Sequence, residues 1–358
     1  MSVPTSRDRL LNSTAPDSDL TTVLIATLTA LHEAATFSWA AVMAVDPQTI
    51  LPTAGVVEGF APVACGPFWD FELSDGAGYN KFSTLARSDD PVATLYDATD
   101  GDLQRSPAFA QLFCALGAGD ELRAVFTSRD RCWGIASLLR RADDGPFPEP
   151  EVDAVRALCP VVGLVVHQAS VHVNGGRASQ TAMLVVDSNN DIVHVTADAR
   201  PLLDDLRATQ HIGACEGQTL GVLTALVTRA RSNRDVMHVS TRLRTTTGAW
   251  YRVTAAPTES GDGHVAVVIE PARGGDLLPM VLESYGLTAR EIDIVGYLAR
   301  GLASSEIAAE LHLSTHTVRD HVKALLHKCD ARTRGELVAR LFAEHLRPEL
   351  EASVHRTA

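Results

Sequence analysis

The strongest constraint on the fold lies towards the C-terminus, where helix-start signals recur between residues 287 and 345. Thr288 and Glu291 form a capping box. The hydroxyl accepts from one otherwise orphaned backbone N–H, and the carboxylate reaches back to another. Leu287 and Ile292 stand where a hydrophobic staple fixes the incoming chain, and Gly301 supplies the stop. A second helix is predicted from about Ser304 to Leu311. Ser314 caps a third, with Leu313 stapled to Val318, and Thr333 with Glu336 opens a fourth.

Helical periodicity assigns the faces. Ile292, Val295, Leu298 and Ala299 share one side of the first helix. Ile307, Ala308 and Leu311 turn inward from the second, where the small Ala308 permits close approach. Val318, Val322, Leu325 and Leu326 form the stripe of the third, which turns Thr315, Arg319, Asp320, Lys323 and His327 outward. That outward surface is polar and cationic, and a major groove about 12 Å wide accepts one such helix. Leu337, Val338, Leu341 and Phe342 exceed what so small a domain needs, which predicts a face free for a second copy.

The segment resembles the LuxR/GerE-type helix-turn-helix family at fixed offsets across all four helices. The matching positions are Leu287, Thr288, Arg290, Glu291, Ala299, Gly301, Leu302, Glu306, Ile307, Ala308, Leu311, Ser314, Thr317, Val318, His321, Lys328 and Arg334. The resemblance implies a dimeric module that places its third helix in the major groove of double-stranded DNA. Carried over by position, Arg319, Asp320 and Lys323 face base edges. Ser304, Ser305, Thr315, Thr317, Lys328, Arg332, Thr333 and Arg334 hold phosphates. Leu337, Val338, Leu341 and Phe342 form the dimer helix. The family also implies RNA polymerase as a partner and a cytoplasmic location. Two positions depart from the pattern. Ala303 stands where the family places a Ser or Thr partner for Glu306, so Ser304 is expected to cap instead. Asp320 brings negative charge to the reading face, where it either accepts from cytosine N4 or repels phosphate. Cys329 is expected to be a buried structural thiol, and His321 a packed or capping residue.

Upstream, Gly, Pro and polar residues cluster at 171–180 and 272–283, which read as linkers. The expected organisation is a flexible tail (1–19), a first sensor-like unit (20–170), a second (181–271), the helical head (284–347) and a tail (348–358). The first unit runs helix, sheet, hairpin and helix. Its final hairpin turns at Ser128-Arg129-Asp130-Arg131 and is followed by an acidic, Pro-bearing loop and a long apolar helix, and in this it resembles a GAF domain. Trp39, Phe60, Phe68, Trp69, Phe71, Phe113 and Trp133 read as core in preference to the lining of a ligand cavity. The second unit, with two strands, helices and three strands, resembles a PAS domain. The fold class is thus two α+β sensor-like domains followed by an all-α helix-turn-helix domain, with a small-molecule effector in the sensors as the implied regulator.

Charge is unevenly spread. The chain of 358 residues carries −13, yet residues 314–340 hold six Lys and Arg against three Asp and Glu, so a basic face exists locally. Six cysteines without a Cys-x-x-Cys pair argue against a disulfide framework or a zinc ribbon and for reduced thiols. No apolar run reads as long enough to span a bilayer. Phosphate-binding loops, dinucleotide fingerprints, metalloprotease helices and nucleophile elbows are all missing, so no catalytic or metal-binding residue is assigned, and the cofactor is left open. Two other readings remain: a sigma-factor-like promoter-recognition protein, and a signalling adaptor whose head binds protein.

Overall fold

The computed structural model describes residues 10–11, 18–60, 65–74, 78–171, 180–209, 221–232, 237–245, 248–259 and 262–341. They form two compact units, the first ending at Pro271 and the second beginning at Ala272.

In the first unit, α1 (Leu20–Ala34) starts at Asp19, whose carboxylate accepts the Thr22 N–H at 3.0 Å. Then come β1 (Trp39–Val45), β2 (Pro52–Glu58), α2 (Cys65–Leu73) and β3 (Val92–Thr94). The long hairpin β4 (Ala118–Ser128) and β5 (Arg131–Arg141) leads into α3 (Glu149–Val171). The sheet order is β2-β1-β5-β4-β3. Arg129 and Asp130 join β4 to β5 with φ 51° and 59°, the left-handed pair that a two-residue hairpin turn requires. At Gly163, α3 crosses β4 so closely that a Cβ would stand 2.1 Å from the Thr127 carbonyl oxygen, so only glycine fits. By length and composition α3 could cross a membrane, but 61% of its most apolar window is buried inside the protein. This 23-residue core helix carries Pro160 on an exposed position.

A second sheet follows, built from β6 (Ala182–Val186), β7 (Ile192–Val195), β8 (Val239–Arg244), β9 (Trp250–Pro257) and β10 (Val265–Pro271) in the order β7-β6-β10-β9-β8. Between β7 and β8 lie α4 (Ala199–Thr209) and α5 (Gly221–Ser232). Val267 pairs with Leu184 on one side and Ala255 on the other, and all three point into the core against Leu223 and Leu226 of α5. That core does not stop at the second sheet: it continues through Val125 and Ile135 of the first and through Trp69 and Phe82 on the helices that precede β3. Arg242 on β8 forms an ion pair with the buried Asp46 beyond β1. Trp69, Phe113 and Trp133 are buried as core filling.

The second unit is all helical: α6 (Gly274–Ser284), α7 (Ala289–Ala299), α8 (Ser304–Glu310), α9 (Thr315–Lys328) and α10 (334–341). The stretch 272–283, expected as a linker, is therefore mostly helix. Its Val281 and Leu282 enter the core formed by Ile294, Val295, Ile307, Val318, Val322 and Leu325. Two glycines and Pro279 read as chain breakers in sequence, yet the glycines occupy the first turn, and burial of the following apolar residues outweighs their low propensity.

Candidate nucleic-acid interface

The site is assembled from helix caps. Thr288 Oγ1 accepts the Glu291 N–H at 3.3 Å, and Glu291 Oε2 accepts the Thr288 N–H at 2.7 Å, closing the expected box on α7. Gly301 ends that helix with φ 84°. The buried stripe is Glu291, Ile294, Val295 and Leu298, whereas Ile292 is half-buried and Ala299 exposed. The helix is rotated from its purely apolar register because Glu291 is itself an interior residue. Its Oε2 lies 2.7 Å from Lys328 Nζ, and that ammonium also donates to the Gly286 carbonyl at 3.0 Å.

On α8, Ala303 occupies the N-cap position, with φ −74° and ψ 158°, and its N–H donates to Glu306 Oε2 at 2.7 Å. A methyl group cannot accept, so only half of the box forms. Ser304 does not take over the cap. It is the first helical residue, 7% exposed, and its hydroxyl accepts from the Arg334 guanidinium. The turn into α9 passes through His312 at φ 54°, and Ser314 Oγ then caps α9 by accepting the Thr317 N–H at 3.0 Å. The Thr317 hydroxyl stands 2.8 Å from Ser314 Oγ.

These caps orient α9. Val318, Val322 and Leu325 are buried, and Leu326 is half-buried. Arg319, Asp320, Lys323 and His327 are exposed on the opposite side, with Thr315 and Thr317 half-buried at the start. Among the described residues, Arg319 and Lys323 have no hydrogen-bond or ion-pair partner, so both cations are free for an external anion or base edge. Asp320 is engaged: its Oδ2 lies 2.9 Å from His316 Nδ1, one turn back. Sequence reasoning passed over His316, although its i, i+4 spacing from Asp320 was a readable signal. Ser305, Arg332, Thr333 and Arg334 are exposed, and Thr333 Oγ1 caps α10 by accepting the Glu336 N–H at 3.1 Å.

Several expected assignments change. Lys328, expected on phosphate, is turned inward to Glu291 and Gly286, because a buried carboxylate needs a charged partner more than the surface does. Ser304 is buried on Arg334, and so neither caps nor reaches out. Leu337 and Leu341, expected at a dimer seam, are 0% exposed and belong to this chain's own helical core; Val338 is half-buried against it. Phe342 lies outside the described residues. Cys329 is buried, and burial pushes its thiol up to about 11. Burial alone would raise the Glu291 carboxyl as well, but the hydrogen bonds from Lys328 and Thr288 outweigh it and hold the group below its ordinary value.

The first unit contains a second polar cluster that sequence reasoning missed. Arg123 on β4 is 4% exposed. It donates to Glu121 Oε1 at 2.9 Å and to Glu72 Oε2 at 2.7 Å, between the Phe68 and Phe82 rings. Burial pushes Glu72 up despite Arg123. Glu121 and Arg123, opposite charges at i, i+2 in strand β4, were the available signal, since they share one face. Every group in it is paired, which makes it a structural tie between α2 and the sheet. Among the described residues, no three His, Cys, Asp or Glu side chains are grouped to hold a metal ion.

Comparison with known proteins bears on the helical unit first. Residues 285–341 match the family model described as GerE, bacterial regulatory proteins, luxR family. The nitrate/nitrite response regulator protein NarP of Escherichia coli (strain K12) is 44% identical over 48 residues, which cover 13% of this chain and 22% of NarP. SgaR of Hyphomicrobium methylovorum, described as a probable transcriptional regulatory protein, is 31% identical over 184 residues, or 46% of this chain and 85% of SgaR. Among solved structures, the phage VqmA–DPO complex aligns at 17% identity with a TM-score of 0.24, over 47% of this chain and 83% of that one. With the helical unit matched by the family model and SgaR matched over most of its length, the chain belongs to the luxR family of bacterial regulatory proteins.

Proposed function

We propose that this protein is a sequence-specific DNA-binding transcriptional regulator that inserts α9 into the major groove. The observation that carries the reading is the pair of exposed, unpartnered cations Arg319 and Lys323 on a helix whose opposite flank is dry. Arg319, Asp320 and Lys323 read base edges. Ser305, Thr315, Thr317, Arg332, Thr333 and Arg334 border that face and supply phosphate contacts. One helix reads only a few base pairs, so an operator of useful length calls for two copies in a homodimer, which in turn engages RNA polymerase in the cytoplasm. The two five-stranded antiparallel sheets support GAF-like (20–170) and PAS-like (181–271) sensor domains that control the head (284–347), with a small-molecule effector shifting the population of DNA-competent molecules.

Electrophoretic mobility of a genomic fragment library with the full chain tests the reading. Retention of a small set of fragments at physiological salt is the expected result. Retention of none favours a head that docks on protein, and retention that requires core RNA polymerase favours a promoter-recognition subunit.

A further inference from the structure

We propose that His316 is a further base-reading residue and that Asp320, grouped above with the base readers, acts through it as a positioning residue. The inference deepens the DNA-binding reading above and rests on it. His316 is the second residue of α9, and the first turn of a recognition helix is the part that meets base edges. Its side chain is 87% exposed, on the same outward side as Arg319 and Lys323.

The geometry distinguishes the two ring nitrogens. Nδ1 lies 2.9 Å from Asp320 Oδ2, and a carboxylate can only accept, so Nδ1 carries the proton and donates. In the neutral ring this leaves Nε2 as an acceptor at the outer end of the imidazole. It is suited to an exocyclic amine in the major groove: cytosine N4 or adenine N6. The same bond settles the awkward charge on the reading face. The Asp320 carboxylate is shielded by the ring, and its spacing of four residues from His316 is the distance at which helical side chains meet. Replacing Asp320 therefore removes the ring's anchor, and replacing His316 bares a carboxylate beside the backbone phosphates. Neither change disturbs the core, since both side chains project into solvent.

The test is selection of binding sites from a random-sequence duplex library by the full chain, the variants His316→Ala, Asp320→Ala and Asp320→Asn, and the double variant His316→Ala/Asp320→Ala. The expected result is that wild type selects an amine-bearing base at one position. His316→Ala should lose that preference by roughly tenfold while leaving the positions read by Arg319 and Lys323 intact. Asp320→Ala should weaken the same position, and the double variant should lose no more there than His316→Ala alone. Asp320→Asn, whose side-chain carbonyl can still accept from Nδ1, should keep most of the preference. An unchanged base profile in His316→Ala overturns the proposal, as does strict additivity of the two single changes at that position. If wild type selects no sequence at all, the DNA-binding reading falls and this one with it.

Discussion

Lys328 and Arg319 sit on one helix and carry the same charge, yet their surroundings give them opposite duties. Lys328 neutralises a carboxylate that is 4% exposed, so Lys328→Met should cost about 1–3 kcal/mol in unfolding free energy by urea titration, because it strands Glu291. DNA affinity per folded molecule should hold. Arg319→Ala should do the reverse, costing about 1–3 kcal/mol of sequence-specific binding with melting unchanged. The Glu291 carboxyl is held below its ordinary value in the folded state, so it contributes stability above the usual carboxylate range that is lost as pH falls through the folded value. Acid titration of helical signal should therefore show less loss for Glu291→Gln than for wild type, starting from a lower stability at neutral pH. The identities of Arg319 and Lys323 as outward cations were readable from helical spacing. The inward turn of Lys328 was not, because a one-dimensional pattern counts lysine as polar and cannot see which carboxylate is buried across the helix pair.

Among the elements, the helix starts were the most legible, since capping is local chemistry between residues three apart. Thr288, Ser314 and Thr333 all cap as their sequence contexts imply. Ala303 shows the limit of that logic. The backbone adopts the cap geometry without a side-chain acceptor because packing of Ile307 and Ala308 fixes the helix around it. The α8–α9 turn holds His312 in the left-handed region, where a Cβ is unfavourable. His312→Gly should leave stability unchanged or raise it by up to about 1 kcal/mol in thermal denaturation, relief of that contact offsetting the added freedom of the unfolded chain. Leu337→Ala should cost about 2–5 kcal/mol by opening a cavity in the helical core. That loss should be independent of protein concentration, whereas a seam residue would show a concentration-dependent melt.

For the whole molecule, the order of elements was legible and the sharing of cores was not. Four strands of the first sheet and all five of the second follow from alternating apolar runs and turn residues, whereas the three-residue β3 is too short to carry a pattern. Nothing in sequence order, however, says that Val125 and Ile135 of the first sheet join Val253 and Val267 of the second in one cluster, because those contacts join positions far apart in the chain. Likewise α6 reads as a linker by its glycines and becomes a helix through burial of Val281 and Leu282. The first unit is thus a single packed body, while Arg319 and Lys323, the cations proposed above to read DNA, stand exposed on one helix of the second. The measurement that tests this most directly is the affinity ratio of the full chain for a selected duplex over a scrambled one at fixed salt, compared with Arg319→Ala/Lys323→Ala. The ratio should fall at least roughly tenfold in the double variant with melting unchanged; an undiminished ratio would contradict the assignment of α9 as the reading helix.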